Sequence, residues 1–380
     1  MDLTNYQSLN NFSKRLSRGS KIMVAMSGGV DSSTVAAILK DYGYNVVGAT
    51  LLLYPDNETS KSSNGKSCCA TADIIDAKKV AQQIGISHYT IDCVSLFQEK
   101  VINYFVNSYI NGLTPIPCSK CNELVKFGYL LDFAKNSGCD ALVTGHYVEK
   151  KFKNGINELH TGIDNKKDQS YFVFSLTQDQ LNFVEFPLGG LSKNETRSLA
   201  ASYGLSVSKK KESQDICFVT NGYVNFISRE SGDKICKRGE IVNTSGDFLG
   251  FHNGIINYTI GQRKGIGLSI GTDPLYVIHI DALNNRIIVG HKDELKGSLF
   301  YIENINWINN DAEMHLGKTI DVCIRANSNR IEAVVSLDEC GQVLCKVMVP
   351  CFAIAPGQAC VMYSGSRVLG GGWIKLLEKS

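Results

Sequence analysis

Between Lys21 and Cys217 the sequence alternates short apolar runs with stretches of helical periodicity, and this alternation limits the possible folds more than any other feature. The strand-like runs are KIMVAM, NVVGATLLLY, SHYTIDC and DALVTGH. The helix-like stretches include STVAAILKDYG, DIIDAKKVAQQIG, LFQEKVINYFVNSYING and NELVKFGYLLDFAKNSG, several of which end at glycine. Alternating strands and helices predict an α/β domain with a doubly wound parallel sheet, whose ligands bind at the carboxyl ends of the strands.

The rest of the chain has a different residue pattern. After Cys217 the segments are shorter and rich in glycine, and from about Leu299 alternating strands such as TIDVCIRA, RIEAVVSL and QVLCKVMV dominate. We therefore predict four regions: a polar N-terminal extension over 1–20, the α/β domain over 21–218, a small middle domain over 219–294, and a C-terminal β-barrel, with a sandwich as the alternative, over 295–380.

Composition narrows the class of protein. The 39 basic and 37 acidic side chains leave a formal charge of +2, so a polyanion would have to be bound by a local patch and not by a global field. The N-terminus lacks an apolar signal region, and no stretch approaches the ~18 apolar residues of a membrane span. Thirteen cysteines without a signal peptide favour reduced thiols. We expect a cytoplasmic protein.

The stretch SGGVDSS, residues 27–33, follows the first strand and opens a helix. Gly28 and Gly29 allow a sharp turn that brings main-chain N–H groups close to a ligand, and the helix adds its positive N-terminus. These features predict an anion cradle, although an ordinary glycine-containing turn is the alternative. The lysine of a Walker A motif and the spacing of a dinucleotide fingerprint are both missing from this stretch.

Three cysteines are candidates for sulfur chemistry. Cys118 and Cys121 lie in TPIPCSKCNELVKF, and we expect Asn122 to begin a helix whose N-terminal field lowers the pKa of a nearby thiol. Cys217 lies in ESQDICFV at the edge of the first domain.

Read together, these motifs resemble the bacterial tRNA-specific 2-thiouridylases of the PP-loop ATP pyrophosphatase superfamily. The resemblance runs from about Lys21 to Tyr363. It is carried, in this order, by AMSGGVDSS, CNELVKF, LVTGHYV, KDQSYF, ESQDICFV, YTIGQRKGIGL and APGQACVMY. It implies an enzyme that adenylates the C2 oxygen of the wobble uridine in tRNAs for Lys, Glu and Gln, and then replaces that oxygen with sulfur to give 2-thiouridine.

The resemblance also implies roles for individual residues. Cys121 looks like the nucleophile and Cys217 like the persulfide carrier, and the two would form a transient disulfide. The implied ATP-binding residues are Ala25, Met26, Ser27, Gly28, Gly29, Val30, Asp31, Ser32, Leu51 and Gly145. The implied tRNA contacts are His146, Lys167, Asp168, Gln169, Arg325 and Gln358, with further contacts from the middle domain.

Cofactors and partners follow from the same chemistry. ATP would bind with Mg²⁺, for which Asp31 is a candidate ligand, although Asp31 could instead accept a backbone amide that shapes the loop. The partners would be the anticodon loop of tRNA and a sulfur donor, either a cysteine desulfurase or a sulfur-relay protein.

One position departs from the family pattern. Many members have an aspartate three residues before the nucleophile, where this chain has Cys118. The acid–base role of that aspartate cannot be transferred. Cys118, Cys121 and Cys217 could instead hold a [4Fe–4S] cluster, which is the alternative to the persulfide and disulfide route. Zinc is less favoured, since the same motif offers no fourth Cys or His.

Two other functions fit parts of the sequence. An amidating ligase would use the same loop, but it needs an ammonia source or a glutaminase domain that the sequence does not display. A tRNA-binding module with an inactive nucleotide site is the other possibility, and the intact SGGVDSS argues against it.

Overall fold

The computed structural model describes residues 12–54, 69–211, 216–219, 222–232, 237–268 and 273–377. These residues belong to two compact units. The first comprises Met1–Lys100, Cys118–Cys217 and Ser366–Leu369, and the second Val101–Pro117, Phe218–Gly365 and Gly370–Ser380. Within the described ranges, the helices are all too short or too polar to cross a bilayer.

The first unit is built on a five-stranded sheet in the order β3-β2-β1-β4-β7. The four strand pairs of this sheet are all parallel, as the alternating pattern predicts. Its strands are β1 Lys21–Ala25, β2 Asn45–Leu52, β3 Ser87–Asp92, β4 Ala141–Val143 and β7 Val184–Glu185. The central strand β1 is buried over its three middle residues, which is typical of a strand covered on both faces.

Helices follow the strands of this sheet. The α-helices of the first unit are α1 Val30–Asp41, α2 Cys69–Gln83, α3 Val94–Phe97, α5 Pro117–Lys120, α6 Leu131–Asn136, α7 Gln178–Phe183 and α8 Lys193–Ser202. Two π-helical segments, Gln98–Ile102 and Cys121–Leu130, continue α3 and α5. Residues 12–15 are also helical, and Phe12 packs edge-on against Tyr44 in the core.

An antiparallel hairpin, β5 Val148–Lys153 and β6 Ile156–Thr161, completes the first unit. It turns at Asn154 and Gly155, both with positive φ. The first residues of the last strand, β17 Arg367–Lys375, pair with β6 through Arg367 and Val368.

The second unit contains a four-stranded sheet in the order β10-β11-β8-β9. Its strands are β8 Gly239–Asn243, β9 Phe248–His252, β10 Tyr276–Asp281 and β11 Arg286–Gly290. The β8–β11 pair is parallel and the other two pairs are antiparallel. The α-helices of this unit are α4 Asn103–Ile110 and α9 Tyr223–Ser231, which contact each other through the stacked rings of Tyr109 and Tyr223.

The remaining strands form a closed barrel. They are β12 Lys296–Trp307, β13 Thr319–Cys323, β14 Ile331–Leu337, β15 Val343–Phe352, β16 Ala359–Ser364 and β17. The order β12-β15-β14-β13-β16-β17 closes because β17 pairs back onto β12. Closure leaves no free edge within these six strands. The prediction of an α/β parallel-sheet domain, a middle domain and a C-terminal β-barrel is therefore confirmed.

Candidate active site

The loop between β1 and α1 has a shape that only glycine permits at its first turn. Gly28 has a φ of +70°, and a Cβ placed on it would lie 2.1 Å from the carbonyl oxygen of Asp73. Gly29 is the N-cap of α1 with extended backbone, and the Ser27 N–H donates to Ser32 Oγ at 3.1 Å. The loop therefore wraps tightly around the start of a helix, as an anion-binding loop requires.

A second loop, after β4, lies directly against this turn. A Cβ on Gly145 would lie 2.9 Å from the Ser32 nitrogen and 3.1 Å from the Asp31 carbonyl carbon. Any side chain at position 145 would thus press on the first turn of α1. The structure brings Gly145 against the SGGVDSS loop, and a role for Gly145 in binding ATP stays a prediction.

Asp31 is held by two residues that sequence reasoning did not select. Lys193 Nζ lies 2.7 and 2.8 Å from its two carboxylate oxygens, and the Tyr147 hydroxyl donates to it at 2.8 Å. Lys193 is fixed as the first residue of α8, where Ser192 and Glu195 form a capping box. The capping box is readable in the sequence, whereas the pairing across 162 positions is not.

The loop has another brace in Lys210. Its ammonium donates to the Gly28 carbonyl oxygen at 3.0 Å and to the carboxylates of Asp73 and Asp76 at 2.7 and 2.6 Å. Lys210 therefore joins the loop to α2. These contacts span 134 to 182 positions, so no local pattern in the sequence reveals them.

Cys121 lies inside a helix and not in front of one. Helical structure begins at Pro117 and continues through α5 into the π-helix Cys121–Leu130, so the expected start at Asn122 is wrong. The side chain of Cys121 is only 8% exposed, and burial raises the pKa of its thiol. The expected lowering of this pKa by a helix N-terminus is therefore also wrong.

Cys118 and Cys217 keep accessible surface and are free thiols. Protein atoms around each sulfur nevertheless raise the pKa of both thiols, that of Cys217 to about 12. A negative charge on Cys121 or on Cys118 contributes to the rise at Cys217, so the three thiols lie within electrostatic reach of one another. The main-chain oxygen of Cys217 accepts a hydrogen bond from the Tyr54 hydroxyl at 3.0 Å.

Lys126 is the cation that these thiols share. Its charge works against burial and lowers the pKa of the thiols of Cys118, Cys121 and Cys217. Lys126 is five residues after Cys121, and a π-helix forms its hydrogen bonds between residues five apart. The π-helical winding therefore places the two residues on the same side of the helix. An α-helix would turn Lys126 well away from that side. The sequence CNELVKF shows the lysine, but it does not show that the helix is a π-helix at this point.

His146 lies beside the same cation. Burial among its neighbours, together with the charge of Lys126, holds the pKa of His146 well below its usual range, so the ring is neutral at pH 7. Its Nδ1 is 2.7 Å from Thr144 Oγ1, and its ring is 5.7 Å from that of Phe127. A neutral ring with fixed orientation can contact a nucleobase or a sugar without adding charge.

These groups all follow carboxyl ends of the parallel strands. The glycine loop follows β1, Tyr54 follows β2 and contacts Cys217, and His146 follows β4. Cys93 follows β3, and its thiol pKa is raised to about 11 by burial, by Asp92 and by Cys121, which places Cys121 near that end. The candidate nucleotide loop and the candidate sulfur residues thus share one edge of one sheet.

The other nucleotide-site predictions lie in the same unit. Met26 and Val30 are buried, Ala25 and Leu51 are partly exposed, and the Met26 carbonyl accepts a hydrogen bond from Thr50 Oγ1 at 2.7 Å.

Two of the expected tRNA contacts in this unit support the local backbone. The Asp168 carboxylate accepts from the N–H groups of Gly162 and Ser170, both at 3.1 Å. Gln169 Oε1 accepts from the Tyr147 N–H at 2.9 Å. Lys167 is partly exposed beside them. These contacts order the loop, and a tRNA role for it stays a prediction.

The expected tRNA contacts of the second unit are partly exposed and anchored. The Arg325 guanidinium donates to the Ala353 carbonyl oxygen, and Gln358 Nε2 donates to the Thr114 carbonyl oxygen at 2.9 Å. Both side chains are therefore held in place by main-chain acceptors.

The next question is whether the described residues include a set of side chains that could hold a metal ion or a metal cluster. Within those ranges, no three or more Cys, His, Asp or Glu side chains are arranged to hold a metal ion together. A [4Fe–4S] cluster on Cys118, Cys121 and Cys217 therefore gains no support here and stays a prediction. For Mg²⁺, both oxygens of Asp31 already accept from Lys193.

Three family models match the chain in succession. They describe a tRNA methyl transferase HUP domain over residues 20–221, a tRNA methyl transferase PRC-barrel domain over 224–291, and an aminomethyltransferase β-barrel domain over 298–374.

Curated relatives match over nearly the whole chain. The tRNA-specific 2-thiouridylase MnmA of Neorickettsia sennetsu is 50% identical over 358 residues, covering 93% of this chain and 95% of the relative. The protein of the same name from Rickettsia prowazekii is 48% identical over 355 residues, covering 93% and 98%. This chain belongs to the tRNA-specific 2-thiouridylase family, as its motifs predict.

Among solved structures the likeness is distant. The NMN synthetase of Francisella tularensis is 17% identical and covers 56% of this chain and 72% of that chain, with a TM-score of 0.35. A likeness at this level says nothing about function.

Proposed function

We propose that this protein is an ATP-dependent tRNA sulfurtransferase that converts the wobble uridine of tRNAs for Lys, Glu and Gln to 2-thiouridine. The observation that carries the proposal is the common placement of the glycine loop and the thiols at the carboxyl edge of one parallel sheet. The whole-length similarity to curated tRNA-specific 2-thiouridylases supports the same reaction.

The first step would activate the uridine. A carbonyl oxygen is a poor leaving group, so the C2 oxygen attacks the α-phosphorus of ATP, and pyrophosphate departs from it. The loop at Gly28 and the N-terminus of α1 present donors to the departing pyrophosphate. Gly145 packs closely against the first turn of α1, since a Cβ there would lie 2.9 Å from the Ser32 nitrogen.

The second step would deliver sulfur. Cys217 carries the sulfur as a persulfide, whose terminal sulfur attacks C2 while AMP leaves. Cys121 then attacks the Cys217 sulfur, which breaks the bond to the transferred sulfur and forms a Cys121–Cys217 disulfide. In the variant order, Cys121 first releases hydrosulfide, which attacks C2. Either way, two electrons from a thiol reductant restore the enzyme.

The raised pKa values of the resting thiols set a requirement for sulfur delivery. With a pKa of about 12, Cys217 is protonated at neutral pH, so it has to lose its proton as it attacks the outer sulfur of a persulfide carried by a donor, whose own thiol then leaves. A cysteine desulfurase or a sulfur-relay protein of the cytoplasm meets that requirement. The charge of Lys126 works against burial and favours the thiolate of Cys121.

Mg²⁺ would enter with the ATP phosphates, which supply most of its oxygen ligands, and Asp31 is the candidate protein ligand. The cluster alternative predicts iron and sulfide on the three cysteines after anaerobic reconstitution. The arrangement of the thiols gives it no support, so no step is assigned to a cluster.

The test compares four proteins on an unmodified tRNA transcript with ATP, Mg²⁺, a cysteine desulfurase, cysteine and a thiol reductant. Wild type should release pyrophosphate and form 2-thiouridine. Cys121→Ser and Cys217→Ser should release pyrophosphate and form none. Cys340→Ser, a change at an exposed cysteine of the second unit, is the matched control and should behave as wild type.

Each failure has a separate meaning. If wild type releases no pyrophosphate, the tRNA-binding module becomes the better description. If Cys217→Ser keeps full thiolation, the persulfide assignment is wrong. Adding Cys118→Ala tests the third thiol, because loss of thiolation there would assign it a chemical role that the two-cysteine route does not need.

A further inference from the structure

An aromatic and basic cluster lies on the four-stranded sheet of the second unit, apart from every residue to which a function is assigned above. The side chains of Phe248 and Phe251 on β9 are 54% and 53% exposed. Their ring centroids are 4.9 Å apart at an interplanar angle of 66°. The Arg238 guanidinium lies over the Phe251 ring, 3.8 Å from its centroid. Two phenylalanines with about half their surface in water are costly unless something covers them.

The cluster is fixed in place by its neighbours. Asn285 Nδ2 donates to the carbonyl oxygen of Arg238 at 3.1 Å, and the Asn285 carbonyl oxygen is 3.1 Å from His252 Nε2. His252 follows Phe251 and is buried. One asparagine thus orders both the residue that carries the guanidinium and the strand that carries the rings.

Arg238 and Lys237 are the cations beside the rings, and the carboxylate of Asp247, which precedes Phe248, accepts a hydrogen bond from Asn243 Nδ2 at 2.8 Å. The nearby Glu240 is neutralised by Arg286 at 2.9 Å. Within the described residues no carboxylate pairs with Arg238, and Lys237 beside it is exposed. Exposed rings, a stacked guanidinium and unneutralised cations are the combination on which proteins bind unpaired bases and their phosphates.

We infer that Phe248, Phe251 and Arg238 form a stacking platform for an unpaired base of the tRNA substrate, with Arg238 and Lys237 contacting the flanking phosphates. The identity of the RNA rests on the proposed function. Phe248 offers the free ring face, and Phe251 supports the guanidinium. The platform contributes affinity and not base identity, because every base has a stacking face.

The experiment measures binding of full-length protein to an unmodified tRNA transcript by fluorescence anisotropy at several salt concentrations. Phe248→Ala and Phe251→Ala should bind about five- to a hundredfold more weakly, the range of one lost stacked base. Arg238→Gln should reduce the salt dependence by about one phosphate contact. The matched control is Phe152→Ala, which truncates a ring of the first unit that is 64% exposed, and it should bind as wild type.

A spectroscopic variant reads stacking directly. Phe248→Trp keeps an aromatic ring, and its added fluorescence should be quenched by tRNA beyond the quenching of the wild-type tryptophans. Wild-type binding by the alanine variants, or no extra quenching in Phe248→Trp, overturns the inference. Normal tRNA binding with loss of thiolation only when a protein sulfur donor is used would also overturn it, and would assign the surface to a protein. If wild type fails to bind tRNA, the proposed function itself fails.

Discussion

The ion pair between Lys193 and Asp31 offers the sharpest test of how the glycine loop works. Lys193 Nζ contacts both carboxylate oxygens, at 2.7 and 2.8 Å, and the two side chains are only 10% and 30% exposed. Lys193→Met keeps an unbranched apolar stem and removes the ammonium. Of the contacts with Lys193 and Tyr147, Asp31 then keeps the hydrogen bond from the Tyr147 hydroxyl.

The expected loss of stability lies between two known limits. Removing one partner of a fully buried pair costs about 3–5 kcal/mol, and exposed pairs contribute about 0.2–1 kcal/mol. Because this pair is mostly buried but not dry, we expect Lys193→Met to cost about 2–3 kcal/mol. For a unit of this size, that loss lowers the unfolding midpoint by roughly 4–12 °C.

A double-mutant cycle with Asp31→Asn separates two roles for Asp31. If Asp31 shapes the loop through Lys193, each single change lowers the rate of pyrophosphate release by a similar factor. The double variant is then little worse than either, with an unchanged Mg²⁺ requirement. If Asp31 binds the Mg²⁺ of ATP, Asp31→Asn alone raises the Mg²⁺ concentration needed for half-maximal release.

The assays are thermal unfolding by circular dichroism and pyrophosphate release across a Mg²⁺ titration. Lys100→Met is the matched control, since Lys100 pairs with Glu99 at 2.7 Å but both side chains are largely exposed. It should melt within about 1 °C of wild type. A Lys193→Met protein that melts like this control, with additive losses in the double variant, would refute the loop-shaping role.

The fold could be predicted wherever the signal is local. The strands β1, β2 and β4 are apolar runs, β3 is a short run with Tyr, Thr and Ile, and helical periods separate them, so their existence and parallel direction follow from the pattern. The hairpin of β5 and β6 carries a readable turn at Asn154–Gly155, with φ of 51° and 84°, but it interrupts the alternation and was not predicted. The two-residue strand β7 has no signal of its own, because it forms by pairing with β4.

In the candidate site, too, local features can be predicted from the sequence and long-range contacts cannot. The glycine loop was readable because its tight turn depends on residues adjacent in sequence. Lys193 and Tyr147 were missed because their contacts with Asp31 span 162 and 116 positions. The thiol pKa of Cys121 was predicted in the wrong direction for a related reason. A local view gives a helix start at Asn122, whereas the helix begins at Pro117 and tertiary burial dominates the ionisation.

Two further predictions concern contacts that the structure adds to the sequence. Gly145→Ala places a methyl group about 2.9 Å from the Ser32 nitrogen, so the first turn of α1 must shift, and pyrophosphate release should fall at least about tenfold. A wild-type rate would contradict the close approach. Lys126→Met removes the positive charge that lowers the pKa of the thiols of Cys118, Cys121 and Cys217, so each thiolate should form only at higher pH. Iodoacetamide labelling of the accessible Cys118 and Cys217, followed by mass spectrometry from pH 7 to 11, should therefore shift to higher pH. The labelling rate at a fixed pH should fall tenfold for each unit of pKa. Lys126→Arg should keep the wild-type profile, and so should Lys120→Met, because the ammonium of Lys120 is paired with Glu123 at 2.9 Å. An unshifted profile in Lys126→Met would mean that the π-helical turn does not bring this charge to the thiols, and that burial alone sets their reactivity.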